Sequence, residues 1–228
     1  SGAQATTLQG LATDPGISVS PSPYVFGDAI VGGIAQGHSF TVTSNGSTNL
    51  SVGSISITGA DPGDFSFGFN NCSTVTPTAT CSFLVIFHPE PADHALRSAT
   101  LTVNSNAAAS PTSIAISGTA LVGDGSLTPT TVDFGDVRLG QTTASKTITF
   151  KATGTAPVAV DEVGLNGPDS GNFSRVANGC NSPTIPAGGT CQVVVNFTPS
   201  LVGELHGELK FATDAGNFYA QLSGNGIN

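Results

Sequence analysis

The chain contains the same domain-sized sequence twice. A solenoid repeat is roughly 20–50 residues long, whereas a unit of about 108 residues has the size of a whole domain. The sequence therefore predicts two tandem domains of one fold. The clearest matches, spaced by 108 positions or by slightly shifted intervals after short insertions and deletions, are Phe26–Asp28 with Phe134–Asp136, Asp61–Phe65 with Asp169–Phe173, Cys72 with Cys180, Cys81 with Cys191, Phe87 with Phe197, and Ile116–Gly118 with Leu222–Gly224.

The boundaries of the repeats follow from these matches. We place the first repeat at residues 14–121 and the second at 122–228. Residues 1–13 form a leading strand or linker. Because Thr7–Ala12 lies 108 positions before Ala115–Ala120, this segment could be the end of a preceding repeat.

Each repeat shows the alternation typical of half-buried strands. In the first copy Cys81, Phe83, Val85 and Phe87 lie on one face, and Cys191 to Phe197 repeat this phase in the second copy. Turn residues interrupt such segments every 8–14 positions, and no segment of ten residues has a helical period. This pattern predicts an all-β protein of two tandem immunoglobulin-like antiparallel β-sandwich domains, with about seven strands each.

Composition excludes several classes of partner. Only 9% of the residues are charged, and the net charge of −9 includes only six Lys and Arg residues. No basic stripe is available to neutralise phosphates, so nucleic acid is not an expected partner. No apolar segment approaches the roughly 20 residues of a membrane span, so this sequence is not expected to insert into a membrane.

The four cysteines fall as one pair in each repeat. Cys72 with Cys81 and Cys180 with Cys191 are predicted to form two local disulfides, which favours an oxidising compartment. Free buried thiols and a metal site are the alternatives. Structural zinc usually needs closer spacing such as Cys-x-x-Cys.

Several of these residues resemble a known family. The order Phe134–Val137, Gly140, Thr153–Thr155, Gly171–Phe173, Cys180, Gly189–Cys191, Phe197–Pro199 and Leu222–Gly226 is similar to the bacterial choice-of-anchor D repeat, within the immunoglobulin-like group that includes Hydin/ASH domains. The resemblance covers nearly all of residues 14–228. It implies a bacterial, extracellular or cell-surface protein built from repeats, with no shared catalytic residues. The first copy departs from it by lacking the Gly-Gly before its second cysteine.

Neither catalysis nor metal binding is predicted. Among the four histidines, His88 and His94 form the best local cluster, with Glu90 and Asp93 between them, and a solvated loop explains it. Calcium takes six to eight oxygen ligands. Asp61 with Asp64, or Asp169 with Asn172, would supply too few, so we assign these residues to turns. No catalytic residue, cofactor or metal ligand is therefore predicted.

Two kinds of glycine recur at equivalent positions in the repeats. Gly27 and Gly135 are expected to let the first strand kink, and Gly46 and Gly154 are expected in turns of positive φ. Both pairs are assigned structural roles.

Phe67 and Phe69 differ between the copies. With Phe65 they are spaced two residues apart, so one strand face could present three rings. Arg175 and Ala177 replace them in the second copy. We expect Phe67 and Phe69 to thicken the core or to contact a preceding repeat, and a partner surface for a glycan or protein is the alternative.

The leading segment is a candidate for strand exchange. Thr7, Leu8, Gln9 and Leu11 carry too little apolar surface to fold alone. We expect them to pair with a sheet edge, in their own chain or in a neighbouring copy.

These observations together predict a non-enzymatic extracellular spacer or assembly module of a larger repetitive surface protein. Its expected partners are neighbouring repeats or copies of the same protein. An adhesion or carbohydrate-binding module is the second hypothesis, and an accessory domain of an exported enzyme is the third.

Overall fold

The chain is all-β and divides into two compact units. The computed structural model describes residues 13–91, 95–181 and 184–228. Unit 1 extends to Ala120, and unit 2 comprises Leu121–Asn228. The predicted strand-exchange residues Thr7, Leu8, Gln9 and Leu11 lie outside the described residues. Within the described ranges, no helix is long and apolar enough to cross a membrane.

Unit 1 is a sandwich of two sheets. One sheet has the order β1-β3-β7-β5 and the other β2-β9-β8-β4-β6. The strands are β1 (Ile17–Ser20), β2 (Tyr24–Ile30), β3 (Gln36–Ser44), β4 (Leu50–Thr58), β5 (Phe65–Asn70), β6 (Thr74–Val75), β7 (Thr80–Phe87), β8 (Leu96–Ser105) and β9 (Thr112–Leu121).

Unit 2 repeats this arrangement. Its sheets have the orders β10-β12-β15-β14 and β11-β17-β16-β13, and β11 runs parallel to β17. The strands are β10 (Gly125–Thr128), β11 (Thr131–Arg138), β12 (Lys146–Ala152), β13 (Val160–Asn166), β14 (Phe173–Asn178), β15 (Thr190–Phe197), β16 (Gly203–Thr213) and β17 (Gly216–Ile227).

The hydrophobic core of each unit lies between its two sheets and is built from the alternate strand residues that the sequence predicts to face inward. Phe83, Val85 and Phe87 of β7 are fully buried, and the residues between them face outward. They pack in one cluster with apolar residues of the opposite sheet, among them Leu101 and Ile116. Unit 2 has the corresponding cluster around Val193, Val195 and Phe197. The prediction of immunoglobulin-like β-sandwiches is therefore confirmed.

The short edge strands were not predicted. β1 and β10 have four residues each, and β6 has two. Such segments are too short to show a period, and pairing with β3, β12 or β4 defines them as strands.

The recurring glycines have two different roles. Gly27 and Gly135 have positive φ, and in unit 2 the register shifts between Asp133 and Asp136, which is the expected kink in the form of a β-bulge. The expectation of positive φ at Gly46 and Gly154 is wrong. A Cβ atom at Gly46 would lie 2.2 Å from the Asp14 carbonyl oxygen, and one at Gly154 would lie 2.2 Å from the Val122 carbonyl oxygen. These glycines therefore allow two segments of backbone to approach closely.

Candidate functional site

Both predicted disulfides are present in the structure. Cys72 bonds to Cys81 and Cys180 to Cys191, with Cα–Cα distances of 5.2 Å and 5.1 Å. Each bridge ties the segment after β5 or β14 to the start of β7 or β15. The alternatives of free thiols and a zinc site do not apply to these four residues, since no cysteine is free.

A polar turn, which we call the clasp, connects the two sheets of each unit. In unit 1 it consists of Asp61 and Asp64 at a short 3₁₀ turn (Pro62–Asp64) between β4 and β5. Asp61 Oδ2 accepts a hydrogen bond from the Ser98 backbone N–H in β8, at 2.9 Å. Asp64 Oδ1 accepts one from the Glu90 N–H, just after β7, also at 2.9 Å. One turn therefore holds a strand of one sheet and the end of a strand of the other.

The clasp of unit 2 makes the same contacts. Asp169 Oδ2 accepts from the His206 N–H at 2.9 Å. Asn172 Oδ1 accepts from the Ser200 N–H at 2.8 Å. The turn-forming assignment of these residues is consistent with this geometry, because their oxygen atoms face backbone donors. Among the described residues, no group of three or more His, Cys, Asp or Glu side chains is arranged to hold a metal ion.

The clasp of unit 1 also contains a buried ion pair that sequence reasoning missed. Arg97 is 1% exposed; its Nε lies 3.2 Å from Asp64 Oδ2, and its Nη2 donates to the Glu90 carbonyl at 3.1 Å. In unit 2 the position of Arg97 is occupied by Leu205. Arg97 lies opposite Gly118 of β9, and Leu205 lies opposite the equivalent Gly224 of β17. Unit 2 therefore combines a neutral Asn172 with an apolar Leu205.

A sequence signal for Arg97 was available. It is the only Lys or Arg among the first 120 residues, and it shares the phase of Ala99, Leu101 and Val103, which are core positions. A basic residue at a strand position that faces the core requires a buried acidic partner, because an unpaired charge is costly to bury.

The expectation that Phe67 and Phe69 thicken the core is wrong. They are 40% and 45% exposed, whereas Phe65 is buried. In the register of β5 and β7, Phe67 lies opposite Val85, and Asn70 lies opposite Phe83. Two residues of β5, Gly68 and Phe69, therefore lie opposite the single residue Leu84, which makes a β-bulge. The bulge breaks the two-residue alternation, and β5 is an edge strand that has a neighbour on one side only.

The histidines do not form a catalytic arrangement in the described residues. His88 Nδ1 lies 3.5 Å from Glu90 Oε1 on the exposed surface. His94 and Asp93, the other members of the predicted cluster, lie outside the described residues. His38 stacks on Tyr24 with ring centroids 3.8 Å apart.

Unit 2 has an open acidic cleft of about 540 Å³. Asp133, Asp136, Glu204 and His206 are among the residues that line it. Asp136 Oδ1 accepts a hydrogen bond from Asn225 Nδ2 at 2.8 Å, and Glu204 Oε2 lies 3.8 Å from His206 Nε2. The carboxylates of the cleft therefore lie at the surface, and Asp136 is held by a neutral partner.

Comparison with protein families supports part of the resemblance. Residues 119–219 match the family described as ASH: Abnormal spindle-like microcephaly-assoc'd, ASPM-SPD-2-Hydin. The predicted resemblance of the second repeat to Hydin/ASH domains is confirmed by this match. No curated protein sequence matches the chain.

Several solved structures are similar in fold. A protein of unknown function from Porphyromonas gingivalis W83 is 12% identical, with a TM-score of 0.37, and the match covers 92% of this chain and 99% of that one. The ASH / PapD-like domain 7 of human CEP192 is 15% identical, with a TM-score of 0.33, over 46% of this chain and 85% of that one. The E. coli chaperone DraB is 10% identical, with a TM-score of 0.34, over 92% and 98%.

The buried ion pair yields a prediction about stability. Asp64→Asn should lower the free energy of unfolding by about 3–5 kcal/mol, because the buried Arg97 guanidinium loses the negative charge that lies 3.2 Å from its Nε. Asp64→Asn combined with Arg97→Leu recreates the residues of unit 2 and should return to within about 1 kcal/mol of the unchanged chain. Urea denaturation followed by far-UV circular dichroism measures both. A double variant as unstable as the single one would show that the pair is not the cause.

The disulfides yield a second prediction. Intact mass spectrometry of the unreduced chain should give a mass lower by four hydrogens than the reduced chain, with no alkylation before reduction. Replacing Cys72 and Cys81 together by Ala should lower the stability of unit 1 by about 2.5–3 kcal/mol, since a closed loop of about ten residues restricts the unfolded chain. Bound zinc or alkylated cysteines in the unreduced chain would contradict this assignment.

Proposed function

We propose that the chain is a non-enzymatic structural or assembly module of an exported, repetitive protein. One observation carries the proposal: the clasp and the disulfide occupy equivalent places in both units. The polar side chains that recur between the repeats bind backbone groups of their own unit. A chain that duplicates its internal reinforcement is suited to resist unfolding along its length.

The proposed location is extracellular or at the cell surface. Both cysteine pairs are oxidised, and disulfides persist in secreted and periplasmic compartments rather than in the cytosol. The low content of charged residues and the resemblance to choice-of-anchor D repeats support the same location. Residues 14–121 and 122–228 are then two repeats of the proposed array.

Force spectroscopy on the single chain tests this function. Each unit should unfold in its own step, because each has its own core. Reduction should lengthen the steps by about 25–35 Å, since the disulfides join cysteines nine and eleven positions apart, an extended residue spans about 3.5 Å, and each bonded pair already spans 5.2 or 5.1 Å. Gradual extension without two discrete steps would contradict the proposed structural role.

An adhesion or carbohydrate-binding module is the second candidate, and the exposure of Phe67 and Phe69 favours it. Aromatic rings at the surface contribute strongly to binding when a partner covers them. The rings lie on an edge strand whose counterpart in unit 2 carries Arg175 and Ala177. There the Arg175 guanidinium donates to the Val163 carbonyl of the other sheet, so the same position serves an internal contact.

A glycan array separates the two candidates. Under the structural proposal the native chain gives no reproducible signal, and Phe67→Ser with Phe69→Ser gives the same result. A signal that disappears in this double variant but persists in Val176→Ser, a change at an exposed residue of unit 2, would favour adhesion.

A further inference from the structure

Three large aliphatic side chains are exposed on the sheet of unit 1 that begins with β2. Val25 and Ile30 of β2 are 65% and 46% exposed, and Leu96 of β8 is 66% exposed. We call these three residues the aliphatic edge. β2 is the outermost strand of its sheet, and only β9 separates it from β8. Exposed clusters of this kind mark interaction sites more often than scattered single residues do.

The register of the sheets shows that Val25 and Leu96 belong to one region. Leu96 lies opposite Thr119 of β9, as its counterpart Glu204 lies opposite Asn225 of β17. In unit 2, Glu204 and Asp133, the counterpart of Val25, line the same cleft. Val25 and Leu96 therefore occupy positions that in unit 2 face one shared space on the outside of the sheet.

The fold does not require aliphatic residues at these positions. Unit 2 has Asp133, Arg138 and Glu204 where unit 1 has Val25, Ile30 and Leu96. Both units nevertheless form the same sandwich, and apart from the two-residue β6 of unit 1 their strand orders correspond. The apolar character of the aliphatic edge therefore has a cause other than folding.

The surroundings of the aliphatic edge are almost free of charge. In the nine strands of unit 1, Asp28 and the buried Arg97 are the only Asp, Glu, Lys or Arg side chains. The eight strands of unit 2 carry many more: Asp133, Asp136, Arg138, Lys146, Lys151, Asp161, Glu162, Arg175, Glu204, Glu208 and Lys210. A chain of net charge −9 repels its own copies. That repulsion is weakest where the surface carries the fewest charges.

We infer that a second copy of this chain covers the aliphatic edge, with a two-fold axis that brings the edge of one copy against the edge of the other. Self-contact suits a surface that is apolar and carries a single carboxylate, Asp28, because such a contact needs no complementary pairs of charges. This inference rests on the proposed function, since it names the partner of the assembly module.

Sedimentation velocity over a range of concentrations tests the inference on the complete chain. The native chain should dimerise in the micromolar range. A triple variant, Val25→Asp, Ile30→Arg and Leu96→Glu, should dimerise at least about 100-fold more weakly, because three apolar contacts are lost in each copy. Unit 2 carries these same residues, so the variant should keep its circular dichroism spectrum. The control Val176→Asp, Leu201→Glu and Val202→Arg changes three exposed aliphatics of unit 2 and should dimerise like the native chain.

Salt provides an independent measurement. Asp28 lies between Val25 and Ile30 on β2, so two copies bring two carboxylates into one contact. Raising sodium chloride from about 0.05 M to 0.5 M should therefore strengthen dimerisation of the native chain, since screening reduces this repulsion. Dimerisation that weakens with salt would point to ion pairs and overturn the inference.

The outcomes separate this inference from the proposed function. A native chain that stays monomeric at several hundred micromolar, or a triple variant that dimerises like the native chain, overturns the inference. Dimers lost only in the control variant would place the contact on unit 2 and overturn it as well. In each case the two unfolding steps in force spectroscopy remain as they are, because they depend on the core of each unit and not on a second copy.

Discussion

The clasp is the contact on which the rest of each unit depends. Two sheets that pack only through apolar side chains can slide, since the hydrophobic effect has no direction. Hydrogen bonds from Asp61 and Asp64, or from Asp169 and Asn172, fix one register between the sheets. They join the start of β8 or β16 to the end of β7 or β15, and the core residues of these strands then meet in a single arrangement. The neighbouring disulfide anchors the other end of β7 and β15.

The two units solve one packing problem with different chemistry. At the clasp, unit 1 buries an arginine against a carboxylate, while unit 2 uses a leucine and an amide. Buried ion pairs often contribute no more stability than an apolar pair of similar volume. Arg97 also donates to the Glu90 carbonyl, so the arginine adds a contact to the segment after β7 that a leucine cannot make. The difference is local and leaves the strand order unchanged.

Sequence reasoning could recover the fold because the signals were periodic and duplicated. Phe83, Val85 and Phe87 alternate without interruption, and the second copy repeats them, so chance patterns were excluded. The same reasoning failed at β5, where Phe65, Phe67 and Phe69 also alternate. Gly68 of β5 lies against the Leu84 side chain of β7, and a β-bulge forms at this point. The sequence of β5 alone does not show this bulge. It also failed at Gly46, whose close neighbour Asp14 is distant in sequence. Contacts between strands decide such positions, and a period within one strand does not show them.

Burial of Arg97 also affects where proteases can cleave the chain. Trypsin-like enzymes cut after lysine or arginine and must draw the target residue into a deep pocket as part of an extended segment. The first 120 residues contain one such residue, and it is sealed within β8 and bound to Asp64. Unit 1 in its folded form therefore offers these enzymes no accessible cleavage point, while unit 2 displays several lysines and arginines on its strands. In the folded chain, exposed lysines and arginines are therefore confined to unit 2.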